Sequence, residues 1–245
     1  MSTAEGKRGG CLICGKPLVY YETGKRMKCS ICGKEEESEA SCEDGHFVCD
    51  ECHSKRGIQV IEEGCRKTES RNPIAIMQEL MENPYIYMHG PEHHVMVGAA
   101  ILTACKNSGV DMDFDLALEE MVRRGREVPG GICGFWGCCG AAVSTGTAYS
   151  ILLKATPLSG NSWGRANGMT SRALAKIAEK GGPRCCKRDS FLAVQAAAEV
   201  LKEEMNICLE MPEEIFCAFS RENPQCLRRA CPFYRQGSDT AERKG

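Results

Sequence analysis

A chain of 245 residues, 42% of them hydrophobic, has room for one substantial domain and a small one, and is not the composition of a disordered polymer. Its net charge of −2 gives no overall field drawing it toward nucleic acid or an anionic membrane surface. The longest apolar run, His94 to Cys105, is too short to span a bilayer, and the opening Met1 to Gly10 lacks the apolar stretch of a signal peptide. The chain therefore reads as soluble and cytoplasmic, with no membrane partner.

Eighteen cysteines then need a physical reason. A chain of this size without an export signal is not a disulfide-stapled secreted domain, so the thiols are available for metal. The five histidines fall in two short runs, His46/His53 and His89/His93/His94.

Residues 1–10 read as a disordered tail. Residues 11–66 are Cys-rich, turn-rich and poor in helical periodicity, as in a ribbon-like zinc module, and Arg66 to Asn72 is a charged linker. From Pro73, which suits the first turn of a helix, the pattern becomes helical, and residues 73–210 read as an all-α domain. Ile74, Met77, Leu80 and Met81 share a face that ends at Asn83-Pro84. A second helix runs from Pro91 to Asn107. A third is capped by Asp113 or Asp115, with Phe114, Ala117, Leu118, Met121 and Val122 as its stripe. Ala141 to Lys154 is rich in small residues and predicts a closely packed buried helix. Thr170 to Lys180 predicts another, closed by Gly181-Gly182. Phe191, Val194, Ala198, Leu201 and Met205 then recur at helical spacing. Residues 211–236 form a Cys-containing C-terminal segment, and 237–245 a second disordered tail. The fold class is mainly α: a small zinc-ribbon domain followed by a helical one.

Cys11-Leu-Ile-Cys14-Gly and Cys29-Ser-Ile-Cys32-Gly are two knuckles separated by fourteen residues. Each aims two thiolates at one point, and two such turns complete a tetrahedral Cys₄ site with Zn–S distances near ~2.3 Å. Val19, Tyr20 and Tyr21 supply the β-prone residues that a ribbon places between knuckles. Cys42, His46, Cys49 and Cys52 offer a second set, with His53 a substitute ligand, so about two Zn²⁺ are expected. Spacing alone does not fix whether the pairs close in sequence or interleave. Basic and acidic residues are nearly balanced over residues 1–72, which disfavours a nucleic-acid role beside a structural or docking one.

The second constellation is Cys133-Gly-Phe-Trp-Gly-Cys138-Cys139-Gly with Arg184-Cys185-Cys186-Lys187-Arg188. Both cysteine doublets precede helices. Helix dipoles with Arg184, Lys187 and Arg188 should lower the thiol pKa and favour an anionic centre, such as a [4Fe–4S] cluster. Zinc and redox-active thiols are the alternatives. Cys208, Cys217, Cys226 and Cys231 make either a third metal site, further ligands to the central one, or ordinary thiols. His89-Gly-Pro-Glu92-His93-His94 is the candidate for acid–base chemistry. Neutral imidazoles at a helix start suit ligation or proton transfer, with His89 and one of His93/His94 facing the central cysteines and Glu92 orienting them.

The Cys-Cys-Gly triplet at 138–140 is similar to the motif that cradles unusual clusters in heterodisulfide reductases, but a second Cys-Cys here replaces the closing Cys-x-x-Cys. More of the chain is similar to an uncharacterised Cys-rich domain family of anaerobic bacteria and methanogens. The similarity rests on His89-Gly-Pro-Glu-His-His94, Gly137-Cys-Cys-Gly140, Ala155-Thr-Pro-Leu158, Gly181 to Asp189, and Cys217 with Asn223, Cys226 and Cys231-Pro-Phe. That resemblance implies company with radical-SAM or methyltransferase modules and assigns no reaction. Two functions follow as expectations. One is an iron–sulfur metalloenzyme of sulfur or one-carbon metabolism acting on a small molecule. The other is a non-catalytic accessory or regulator docking on a redox or methyl-transfer protein.

Overall fold

The computed structural model describes residues 10–235. Apart from Gly10, the two expected disordered tails lie outside the described residues. Among those residues there are two strands and eight α-helices, so the chain is mainly helical, with the cysteine-rich hairpin preceding the helices. No described helix is long and apolar enough to cross a membrane.

Strands β1 (Leu18–Lys28) and β2 (Glu35–Cys42) pair antiparallel, with Leu18 opposite Cys42 and Lys28 opposite Glu35. The second knuckle is the hairpin turn. Gly33 sits at φ +77 and its amide donates to the Cys29 carbonyl at 2.9 Å, a left-handed conformation that a Cβ would strain. The first knuckle repeats the geometry, Gly15 donating to the Cys11 carbonyl at 2.8 Å. The hairpin's own apolar cluster is Phe47 with Cys29 and Cys49, too little burial to hold a fold unaided.

Where the sequence reads as turn-rich, the chain forms an 18-residue helix, α1 (Asp50–Lys67). Ser54, Gly57, Ile58, Ile61 and Cys65 form its buried face. Only Ile58, Ile61 and Cys65 are apolar, and the first turn holds cysteine and histidine, so the stripe is too thin to register as periodicity.

The helical body comprises α2 (Pro73–Glu82), α3 (Glu92–Asn107), α4 (Phe114–Gly125), the short α5 (Ile132–Phe135), α6 (Gly140–Leu152), α7 (Asn161–Ala178) and α8 (Cys186–Met205). Local chemistry sets several starts. Asn72 accepts from the Ile74 and Ala75 amides at 3.0 Å ahead of Pro73, and Asp113 accepts from Leu116 at 3.1 Å. Helix α3 is buried from Glu92 through Cys105 and packs against α1, α2, α4, α6 and α8, as a helix apolar on every side must. Small residues let its neighbours close in. A Cβ on Gly98 would lie 2.3 Å from Met121 Sδ and 3.0 Å from the Ser144 carbonyl oxygen. Helix α7 starts nine residues before the predicted Thr170, because Gly160, Gly164 and Gly168 disguise its first turns as loop. The C-terminal segment lies back over the body: Ile215, Phe219 and Phe233 enter the main core, and Phe233 meets Phe191 edge-on at 5.3 Å.

Candidate metal centres and a thiol-lined cleft

The hairpin decides how the N-terminal donors combine. A strand of eight residues spans roughly 25 Å, so the two knuckles sit at opposite ends of the hairpin and cannot meet at one ion. β2 instead returns Cys42 to the first knuckle, while the Ser30 amide donates to the Phe47 carbonyl at 2.7 Å and brings Cys49 to the second. Cys11, Cys14, Cys42 and His46 form one set, and Cys29, Cys32, Cys49 and Cys52 the other, each with donor atoms within 4.8 Å of one another. The pairs interleave, so the sequential set Cys11/Cys14/Cys29/Cys32 does not form.

Four thiolates about ~2.3 Å from one ion stand roughly 3.8 Å apart in a tetrahedron. Cys14 Sγ lies 3.7 Å from Cys42 Sγ, and Cys32 Sγ 3.8 Å from Cys49 Sγ. His46 presents Nδ1 3.4 Å from Cys42 Sγ, whereas His53, the substitute ligand, turns away to Glu92. Backbone amides point at the sulfurs: Ile13 at Cys11, Ile31 and Cys49 at Cys29, and His46 at Cys42, all at 3.3–3.5 Å. Burial pushes the Cys29 and Cys42 thiols up, but amides and neighbouring side chains outweigh it and hold them at about 6 and about 7, while their partners Cys11, Cys49 and Cys52 are raised, so each set concentrates its ionisation on one sulfur.

The doublets behave differently. Cys139 and Cys185 are the N-cap residues of α6 and α8, as expected, yet the expected lowering of their pKa is reversed. Burial is the largest influence and pushes Cys139 up to about 12, with Cys133, Cys185 and Cys186 also raised. Burial thus favours the protonated form of each of these thiols.

Neighbours in a chain point apart, and the doublets divide accordingly. Cys133 and Cys139 line a cleft of about 730 Å³ together with Arg184, Arg188 and Asp189, while Tyr20 reaches across from β1. Tyr20 sits under the Arg184 guanidinium at 5.1 Å and beside Phe135 at 6.4 Å. Cys138 is half-buried and not among the residues lining the cleft. Cys186 is likewise not among the lining residues, and its sulfur is close enough to Gly90 and Cys139 to be influenced by both. Cys185 leaves the group and lines a second, small cavity with Cys217, Cys226 and Cys231. Lys187, expected at an anion site, is fully buried, donating to the Ile86 carbonyl at 3.1 Å with its ammonium over the Phe219 ring. Cys208 is exposed and apart.

The histidine run is buried at the start of α3. Glu92 is wholly enclosed; it accepts from the Tyr87 amide at 3.1 Å and lies 3.3 Å from His53 Nδ1 and 3.4 Å from His93 Nδ1. It faces these two rings, not His89 or His94. His93 and His94 donate from Nδ1 to the Gly90 and Val128 carbonyls, at 3.1 and 2.9 Å. The His94 ring lies against Gly140, where a Cβ would fall 2.2 Å from it, and so abuts the residue next to Cys139. His89 lies beside Arg184 and Asn223, and both its ring nitrogens are buried without a hydrogen-bond partner.

These imidazoles give the fold a pH dependence. Burial holds His93 and His94 neutral, and burial with the Arg184 charge drives His89 down to about 3. The unfolded chain, with histidines near about 6.5, then binds more protons than the folded one in acid. Stability is therefore full above about pH 6.5 and falls below it, by up to about 1.4 kcal/mol per pH unit for each such histidine. Urea unfolding at about pH 7 and about pH 5.5 measures the drop, and His94→Gln should shrink it. Acid loss of metal is common to both proteins and cancels; an identical drop in both contradicts the assignment.

A helical body with paired cysteines at helix starts, preceded by two interleaved donor sets, defines a cysteine-rich protein with sites able to bind metal ions. Residues 61–234 match the model of a family of unknown function, DUF5714, and the chain belongs to that family. No curated protein and no solved structure matches it.

Proposed function

We propose that the protein is a metalloenzyme in which two structural Zn²⁺ ions fold the hairpin, and the hairpin walls a cleft where a thiolate-held iron–sulfur centre meets a small anionic substrate. The cleft carries this reading: it is of substrate size, and it brings together two thiols, a guanidinium and a buried ion pair. Cys133, Cys139 and Cys186 are the residues that would hold the centre. Soft sulfur donors fit iron, and the two unpartnered nitrogens of His89 nearby are the kind of buried polar group that a ligand or ion explains. Held by these three thiolates, a cluster would supply Lewis-acid or sulfur-binding chemistry at the cleft. The chain's own groups do the rest. Arg184, braced on Tyr20, attracts and orients an anion, and the apolar wall of Leu174, Ile177 and Ala178 excludes water. Sulfur or one-carbon chemistry in an anaerobe suits such a centre.

Protein prepared without oxygen and reconstituted with iron and sulfide is expected to show broad visible absorption bleached by dithionite. Cys133→Ala and Cys139→Ala should each remove about four irons per chain while leaving the zinc in place. Iron content unchanged in both variants refutes the cleft centre.

One observation favours a second reading, an accessory that docks on a redox or methyl-transfer protein. Trp136, between Cys133 and Cys138, is 68% exposed, and large exposed aromatics are typical of interaction surfaces.

A further inference from the structure

We infer that Cys185, Cys217, Cys226 and Cys231 hold a second iron–sulfur cluster, of the [4Fe–4S] type, separate from the cleft. Helix α8 supplies Cys185 at its N-cap and the C-terminal segment supplies the other three, 32 to 46 residues further along the chain. All four line one small cavity with Phe219, Asn223 and Tyr234. Helix and segment are locked together around it: the Cys217 amide donates to the Phe233 carbonyl at 2.8 Å, and Phe233 packs on Phe191 of α8.

Three features assign the cavity to a cluster. The first is polar groups aimed at sulfur. Asn223 Nδ2 lies 3.5 Å from Cys185 Sγ, the Phe219 amide 3.4 Å from Cys217 Sγ, and the Arg228 amide 3.4 Å from Cys226 Sγ. Arg228 adopts φ +50, a left-handed conformation uncommon for a residue with a side chain. Hydrogen bonds onto the sulfurs are among the means by which a protein tunes a bound cluster. The second is size. The N-terminal sets show what a single ion requires in this same chain, donors within 4.8 Å of one another; these four cysteines share the wall of a cavity of about 20 Å³ and do not form such a set. A cubane, with an iron at each ligated corner, sets its thiolates wider than one ion does. The third is charge. The Lys187 ammonium lies over the face of Phe219, which lines the cavity, suiting a group that is anionic with its thiolates, while the Arg188 charge there is matched by Asp189. Cys231 is followed by Pro232, the Cys-Pro pairing that closes bacterial cluster-binding runs.

With four protein thiolates such a cluster has no open iron, so it carries an electron or clamps the segment and binds no substrate. Cys185 and Cys186, consecutive residues, would then serve two different centres.

The test uses the full chain, reconstituted anaerobically with ferrous iron and sulfide. Cys217→Ala, Cys226→Ala and Cys231→Ala should each lose about four irons per chain, whereas Cys208→Ala, just ahead of the segment and exposed, should lose none. Unmutated protein gives an independent readout: Cys217, Cys226 and Cys231 should resist alkylation when iron is present and react once it is stripped. Iron lost only in Cys133→Ala and Cys139→Ala overturns this inference and leaves the cleft reading standing; iron lost only in the C-terminal variants does the reverse. A third equivalent of zinc that vanishes with Cys226→Ala, or alkylation indifferent to iron, also overturns it.

Discussion

Cys14→Ser and Cys42→Ser are expected to remove the same equivalent of metal, and Cys29→Ser and Cys52→Ser the other. The interleaved sets require this, since Cys14 and Cys42 are 28 residues apart and yet belong to one donor set. The double variant Cys14→Ser/Cys42→Ser should therefore lose one equivalent, and Cys14→Ser/Cys29→Ser both; a sequential arrangement gives the opposite pattern. Metal content by mass spectrometry distinguishes them without any assay of activity. The effect on the hairpin should be large, because metal binding in modules of this size supplies about 10–16 kcal/mol of folding free energy and Phe47 is the one large apolar side chain in the hairpin's buried cluster. Hydrogen exchange after chelation should show residues 18–42 fully open while α3 stays protected.

Asp189→Ala is expected to destabilise the helical body by about 3–5 kcal/mol, the cost of leaving a buried charge without its partner. Arg188 Nε meets Asp189 Oδ1 at 2.8 Å, with both side chains almost wholly enclosed. The same guanidinium donates to the Gly181 and Pro183 carbonyls at 2.9 and 3.1 Å, and Asp189 accepts from the Cys185 amide at 3.3 Å. The pair thus fixes the loop from which Arg184, Cys185 and Cys186 project. Replacing both partners, Arg188→Met with Asp189→Leu, should recover much of the stability but not the loop, so metal content should stay low while the unfolding midpoint rises. A cost below about 1 kcal/mol for Asp189→Ala would show that other contacts hold the loop.

The helices legible in the sequence are those with local signals: the Asn72-Pro73 and Asp113 starts, and the apolar faces of α2, α4 and α8. Helix α1 was hidden because Cys49, Cys52 and His53 read as ligands in a turn, although Cys52 is both a donor and a helical residue. The types of metal donor were legible too, but not their grouping, which depends on hairpin length and on which way each cysteine of a doublet faces. The thiol pKa values went astray for a related reason. Helix starts and basic neighbours are visible in sequence, while the burial that outweighs them arises only when α3, α6 and α8 close together. Glu92 was marked for chemistry, but its partner His53 lies 39 residues earlier, beyond any local pattern.

Tyr20 walls the cleft from outside the segment that defines the family. The segment matched by the family begins at residue 61, so every cysteine of the cleft lies inside it, whereas Tyr20, and Asp50 with its 2.6 Å hold on the Gly130 amide, lie outside. A relative sharing only that segment would keep the donors and present a differently shaped opening. Under the function proposed above, selectivity for what enters would then diverge by exchange of the N-terminal attachment, with the cysteines beneath unchanged.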